Sequence, residues 1–344
     1  MNFASDNTAP MHPRVLEALT RANDGTAMPY GNDPLALSVE KKIAALFERD
    51  CAVFLVSTGT AANAIALAAM CPPWGAVYCH ADSHVNTDEC GAPEFYTAGA
   101  KLVGVEGAHG RLDPAALDAA LAAAGKGVVH HVQPLALSLT NATEAGTVYT
   151  PDATAALSAV ARKHGLKVHL DGARFANAVV ALGCTPAEAT WKAGVDVVSF
   201  GATKNGCMAA EAIVAFDPEI AASIAFRRKR AGHLFSKMRF IAAQMDAYLA
   251  DGLWREMAKN ANAVADRLAK GLAALPGAAL AHPVEANEIF VDLPEKAIAA
   301  TEAAGYRAYR WFGPGTQRLR LVVSWCSTEK DADGFVATAR AALA

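Results

Sequence analysis

Short apolar runs alternate with longer stretches in which apolar residues return at helical spacing, and the alternation continues as far as residue 216. The runs Cys51–Val56, Ala76–Cys79, Lys101–Val105, Gly127–Val132, Leu137–Asn141, Val168–Asp171 and Val195–Phe200 predict strands. Helices are predicted over Met11–Asn23, Leu35–Glu48, a stretch reaching Met70, Pro114–Ala124 and a stretch ending at Leu182. Strand and helix in turn build an α/β fold, a mainly parallel sheet covered by helices. From Ile220 the pattern changes. A helical stretch carrying Arg227-Arg228-Lys229-Arg230 runs on through Lys237, Arg239 and Gln244 toward Leu253. Beyond it a smaller α+β unit is expected: helix Trp254–Ala274 stopped by Pro276-Gly277, a strand at Glu288–Val291, an alternating strand over Gln317–Trp325 and a closing helix Thr328–Leu343. The chain thus reads as an N-terminal segment, 1–34, ending in the turn Tyr30-Gly31-Asn32-Asp33-Pro34; a large domain, 35–253; and a small C-terminal domain, 254–344.

Polar residues gather where these strands end, the edge at which open α/β sheets take their ligands. One run closes on Asp171 and another is followed by Lys204, so a carboxylate and an amine should meet at neighbouring strand ends. That pair suits pyridoxal phosphate, which needs a carboxylate to keep its ring nitrogen protonated and a lysine to hold its aldehyde as a Schiff base. Alone, Asp171 also reads as the N-cap of the helix through Leu182, and Lys204 as a loop lysine. Arg174 would face the cofactor's phenolic oxygen. Ser57-Thr58-Gly59-Thr60, between a strand and a helix start, reads as a phosphate cup, with Thr-capped helix as the plainer alternative. It lacks the Gly-Lys-Ser/Thr of a P-loop and the full GxGxxG of a dinucleotide fold. His84 could stack on the ring and carry a proton. Arg320, in an otherwise apolar strand, needs a partner, either a substrate α-carboxylate or a structural acid.

Composition narrows the class without changing this picture. The 344 residues leave room for about two domains, and a formal net charge of -3 offers no basic excess for nucleic acid. The opening residues lack the cationic and apolar regions of a secretory signal, and no stretch approaches the ~20 apolar residues of a membrane helix. Seven cysteines without a CxxC pair read as reduced thiols of a cytosolic protein rather than a disulfide or zinc framework; no metal is expected. Cys207, three residues after Lys204, reads as a small buried filler, with a reactive site thiol as the alternative.

The motifs FASDN, YGNDP, STGTAAN, ADSH, DECGAPEF, NATEAGTVY, DGARFANA, GATKNG and SKMRF together resemble the low-specificity L-threonine aldolases, pyridoxal phosphate enzymes of fold type I, nearly end to end. The resemblance implies a seven-stranded-type sheet and a lyase that cleaves L-threonine, L-allo-threonine or phenylserine reversibly to glycine and an aldehyde. It implies Lys204 on the cofactor aldehyde, Asp171 on the ring nitrogen and Arg174 on the phenolic oxygen. Thr58, Gly59 and Thr60 would take the phosphate, and His84 would stack over the ring as the candidate base for the β-hydroxyl proton. Ser5 and Arg320 would hold the substrate carboxylate, with Tyr30 at the edge of the site. Lys229 or Arg230 would reach a neighbour's phosphate in a homodimer or homotetramer with shared sites. Two positions depart from the family pattern: Ala4 stands where many members have Arg, and Asn141 where many have a histidine near the substrate hydroxyl. The alternatives are another fold type I lyase or aminotransferase and a non-catalytic cofactor-binding regulator.

Overall fold

A computed structural model describes residues 2–313 and 315–344; Met1 and Pro314 lie outside the described residues. Seven strands, β1 (Ala52–Val56), β2 (Gly75–His80), β3 (Lys101–Val105), β4 (Gln133–Thr140), β5 (Lys167–Gly172), β6 (Val197–Gly201) and β7 (Glu211–Ala215), form one sheet in the order β1-β7-β6-β5-β4-β2-β3. The neighbours from β3 across to β6 pair in parallel. Helices lie on both faces: Phe47, Phe175 and Phe200 belong to the core on one side, Ile65, Val77 and Ile213 to the core on the other. Strands covered twice have no solvent face, which is why β2, β6 and β7 are buried along their whole length and are mostly apolar.

β7 is the exception in direction. It runs antiparallel to both β6 and β1, because a short turn joins β6 to β7 and a parallel return would need a crossover element. Its first residue, Glu211, therefore lies opposite both Gly201 and Val56, at the edge where the parallel strands end.

The smaller unit is an antiparallel sheet of β8 (Ala279–Leu280), β9 (Glu288–Asp292), β10 (Tyr309–Arg310) and β11 (Arg318–Val322), in the order β10-β11-β9-β8. Helix Leu253–Ala273 serves both cores, with Leu253, Trp254 and Met257 in the large one and Val264, Leu268 and Leu272 in the small one. Phe3 is buried in the small core, and its backbone is held by Arg307 O and by the Val322 N–H, each at 2.7 Å. The first residues are thereby pinned to the small unit and delivered to the strand-end edge of the large sheet.

Two expectations are corrected. Gly127–Val132 is not a strand but a series of turns, and the strand is β4, starting at Gln133. Gly125 and Gly127 have positive φ, and the Gln133 side chain accepts from Gly127 N–H at 2.7 Å while donating to Val128 O and His131 O, which wraps the segment on itself. Nor is the basic stretch one helix. Helix Pro218–Arg230 stops at Gly232, which has a φ of +77°, and a second helix begins at Arg239 and ends at Leu249.

Candidate active site

β5 ends in Asp171-Gly172 and lies against the end of β6, where a Cβ on Gly172 would come within 2.7 Å of Ser199 O. Only glycine allows that approach, and it fixes where Asp171 points. Its Oδ1 accepts from Ala173 N–H at 2.9 Å and its Oδ2 from Asn63 Nδ2 at 2.7 Å. Helix Phe175–Leu182 is capped at Arg174 without a side-chain bond, so Asp171 is not its N-cap. After β6 the chain makes one 3-10 turn, Thr203–Asn205, and reverses at Gly206, whose φ is +101°. A Cβ there would meet Met257 Sδ at 2.6 Å, and Asn205 Nδ2 donates to Tyr248 Oη and Trp254 O, each at 2.9 Å. The turn bearing Lys204 is therefore clamped from below. The Lys204 ammonium makes no hydrogen bond or ion pair with any described residue, and it lines a cavity of about 400 Å³.

Thr58, Gly59 and Thr60 line the same cavity. Thr58 caps helix Gly59–Met70 through a 3.1 Å bond from Ala61 N–H, which leaves the N–H groups of Gly59 and Thr60 for a ligand. A Cβ on Gly59 would touch nothing within 4 Å, so the cup is open.

His84 and Arg174 also line it, together with four carboxyl groups, Glu89, Glu144, Asp171 and Glu211. His84 Nδ1 lies 2.8 Å from Glu89 Oε1, and this bond raises the imidazole pKa against the opposing effect of burial. Burial raises Glu89 in turn; Asn63 Nδ2 also donates to its Oε1, at 2.8 Å. Burial pushes Glu144 and Glu211 each up to about 7. Glu144 Oε1 accepts from His84 N–H at 2.7 Å and from Thr140 Oγ1 at 2.9 Å. Glu211 accepts from Thr203 N–H at 3.3 Å, beside the lysine.

Other expected site residues lie elsewhere or are already engaged. Arg174 reaches the cavity wall, yet its Nε and Nη2 clasp Asp6 at 2.7 and 3.0 Å and its Nη1 lies 3.1 Å from Glu288. Burial favours a protonated Asp6, but the Arg174 and Lys204 charges more than offset it and hold the carboxyl below its ordinary value. Arg320 does not line the cavity. Its Nε and Nη2 hold Glu288 at 3.1 and 2.6 Å, so the structural partner left open in the sequence is present. Asn141 is turned away: it exchanges two hydrogen bonds with the Tyr149 backbone, at 3.0 and 3.2 Å, while Ala142 and Glu144 face the cavity. Ser5 caps the turn Asp6–Thr8 by accepting from Asn7 N–H, and its neighbour Asn7 is the one on the cavity wall. Lys229 lies over the Tyr30 ring at 4.9 Å, and neither these two nor Arg230 line this chain's cavity. Cys207 is buried and burial holds its thiol well above the ordinary value, as suits a filler.

Pyridoxal phosphate fits what is present. The cup offers two uncommitted N–H groups at a helix N-terminus, the lysine is unpaired, and Asp171 is buried and bonded to Asn63 one turn along the cup's helix. Buried Asn63 Oδ1, Glu89 Oε2 and Glu144 Oε2, on three side chains that line the cavity, have no hydrogen-bond partner among the described residues.

The model of the beta-eliminating lyase family matches residues 2–296. The chain belongs to that family. A low specificity L-threonine aldolase of Pseudomonas aeruginosa is 46% identical over 94% of this chain and 92% of its own length. Another from a Pseudomonas species is 42% identical over 99% of this chain and 97% of its own. A solved threonine aldolase of Leishmania major superposes with a TM-score of 0.92 at 31% identity, covering 100% of this chain and 99% of that one. The fold type I architecture expected from the resemblance is the one found: a seven-stranded sheet between helices and a small antiparallel sheet.

Proposed function

We propose that this chain is a pyridoxal phosphate-dependent aldehyde-lyase that cleaves L-threonine, L-allo-threonine and related L-β-hydroxy-α-amino acids, phenylserine among them, reversibly to glycine and an aldehyde. The observation that carries the reading is the meeting, in one cavity, of an unpaired Lys204, a buried Asp171 and an open helix N-terminus, in a chain with near full-length similarity to L-threonine aldolases. When bound, the cofactor supplies an electron sink for the Cα–Cβ bonding pair. Lys204 would supply the amine that holds its aldehyde carbon. Asp171 holds a proton on the ring nitrogen, and Asn63 and the Ala173 N–H keep that carboxylate oriented. Gly59, Thr60 and Thr58 take the phosphate, and His84 covers the ring.

The substrate carboxylate falls to Ser5 and Arg320, which stand outside the cavity lining; the Arg320 Nη1 makes no hydrogen bond with a described residue, while Glu288 fixes the rest of the guanidinium over the Trp311 ring. Arg174 reaches toward the phenolic oxygen from a position set by Asp6 and Glu288. Tyr30 with Lys229, and Arg230 beside them, serve a second copy's site in a homodimer or homotetramer. No described helix is long and apolar enough to cross a membrane, and the seven unpaired cysteines suit the cytoplasm. Incubating the loaded protein with L-threonine tests the reading: equal yields of glycine and acetaldehyde support it, and ammonia with a keto acid would replace it by a β-eliminating activity.

A further inference from the structure

Resting on that reading, we propose that Glu144 is the side chain that removes the β-hydroxyl proton when the carbon–carbon bond breaks. Glu144 stands on the loop after β4, which brings it beside His84 at the strand-end edge. Its Oε1 is anchored twice, by the His84 N–H at 2.7 Å and the Thr140 hydroxyl at 2.9 Å. Its Oε2 is buried, bonded to no described residue, and belongs to a side chain on the cavity wall. One oxygen fixed and the other uncommitted is the arrangement a general base requires.

The other acids and the imidazole of the cavity are placed differently. Both oxygens of Asp171 accept hydrogen bonds, from Asn63 and Ala173. Glu89 also has a free oxygen, Oε2, but its Oε1 is bonded to His84 and to Asn63, the residue that holds Asp171, so it belongs to the Asp171 end of the cavity. Glu211 is held by the turn that carries Lys204. His84 is bonded to Glu89, which favours its charged form and so makes it a donor rather than an acceptor. Asn141 faces Tyr149. Glu144 lies near enough to Arg174 to favour that residue's charge.

In the step, the β-hydroxyl proton passes to Glu144 Oε2 and the O–H bonding pair becomes the carbonyl π bond of the departing aldehyde. The Cα–Cβ pair stays with the glycine half, and the proton leaves Glu144 for solvent after the aldehyde departs. Burial places the Glu144 carboxyl at about 7, with the Asp171 charge acting in the same direction and the His84 N–H and Thr140 bonds opposing. Arg174, Tyr149 and Cys79 are the remaining titratable groups that sense its charge. The basic form thus accumulates as pH rises through neutrality, and cleavage should rise with it.

The test uses Glu144→Gln, which keeps the Oε1 acceptor for His84 and Thr140, and Glu144→Asp, both loaded with pyridoxal phosphate. Aldehyde release from L-threonine and phenylserine is read beside deuterium exchange at glycine Cα, which needs Lys204 but no hydroxyl base. Infrared difference spectra of the cofactor-free proteins against pH follow the carboxyl directly. Expected is a ~10²–10⁴-fold fall in kcat for Glu144→Gln, the range of a lost general base, with glycine exchange retained. Partial return in Glu144→Asp, loss of the rise near pH 7, and loss of one infrared titration near neutrality should accompany it. Normal cleavage by Glu144→Gln with an unchanged pH profile overturns the proposal, as does parallel loss of cleavage and glycine exchange, which would reduce Glu144 to an anchor for His84. Failure of the unmodified protein to cleave any β-hydroxy amino acid would instead overturn the reading beneath it.

Discussion

Lys204 carries the only charge in its cavity that is neither hydrogen-bonded nor ion-paired among the described residues there, and it is surrounded by carboxyl groups drawn from four separate segments. Lys204→Ala should remove the borohydride-reducible linkage to the cofactor together with turnover; the absorbance of the reduced protein reads the first and aldehyde release the second, and normal trapping would mean that another amine holds the aldehyde. Asp171→Asn keeps an acceptor for the Ala173 N–H and deletes the charge. Cofactor stoichiometry should hold while kcat falls at least ~10²-fold, the scale of one preorganised electrostatic group; a near-normal kcat would leave Asp171 a purely structural role. Glu211 adds a pH signature. Its carboxyl is raised by burial to about 7, so the folded state binds its proton more tightly than the unfolded chain does. The stabilisation from that proton is complete below the ordinary carboxyl value and is lost as pH rises toward 7. Melting temperatures of cofactor-free protein should therefore shift in favour of Glu211→Gln over wild type between pH 5 and 8, and a gap independent of pH would contradict the assigned protonation.

Among the elements, those that position Lys204 and Asp171 were legible because each leaves a local mark. β5 and β6 are short, buried on both faces and closed by glycine, and the Thr58 cap precedes a long alanine-rich helix. What was not legible was created by sheet order. Glu89 and Glu144 stood inside quoted motifs, yet nothing local shows which carboxyl turns inward; only the pairing of β4 with β2 and β5 brings them to Asp171. Glu211 reaches the edge solely because β7 runs antiparallel. Asn141 is expected at the site because it stands, within NATEAG, where many family members have a histidine, but its amide matches the Tyr149 backbone, and the residue on the cavity wall comes three positions later. The turn at Gly127–Val132 was missed because its valines imitate a strand while Gln133 bonds the segment to itself. Two substitutions probe the elements that matter. Thr58→Ala removes the cap on Ala61 N–H and should cost ~1 kcal/mol of stability in denaturant unfolding, with weaker cofactor retention. Gly206→Ala places a methyl against Met257 at a φ of +101° and should cost ~1–3 kcal/mol. Unchanged stability in either would mean that the turn adjusts freely.

Over the whole molecule, the N-terminal segment links the two units: Phe3 in the small core, Asp6 on Arg174, and Glu288 of β9 between Arg174 and Arg320. Domain placement and site charge are thus coupled through one buried chain of ion pairs. Exposed Met208 at the cavity and exposed Tyr30 under Lys229 fit a neighbour's approach. If the site is shared, hybrid dimers of a Lys204→Ala chain and a Lys229→Ala, Arg230→Ala chain should regain activity that neither parent has, and proven hybrids without rescue would confine each site to one chain. The central claim, however, is the reaction. It is tested most directly by giving the loaded protein L-threonine, L-allo-threonine and phenylserine in turn and resolving the products by chiral chromatography. Glycine and the matching aldehyde in equal amounts, formed from these substrates and re-formed into β-hydroxy amino acid when both are supplied, is the predicted result; ammonia and a keto acid, or no product from any of the three, would contradict it.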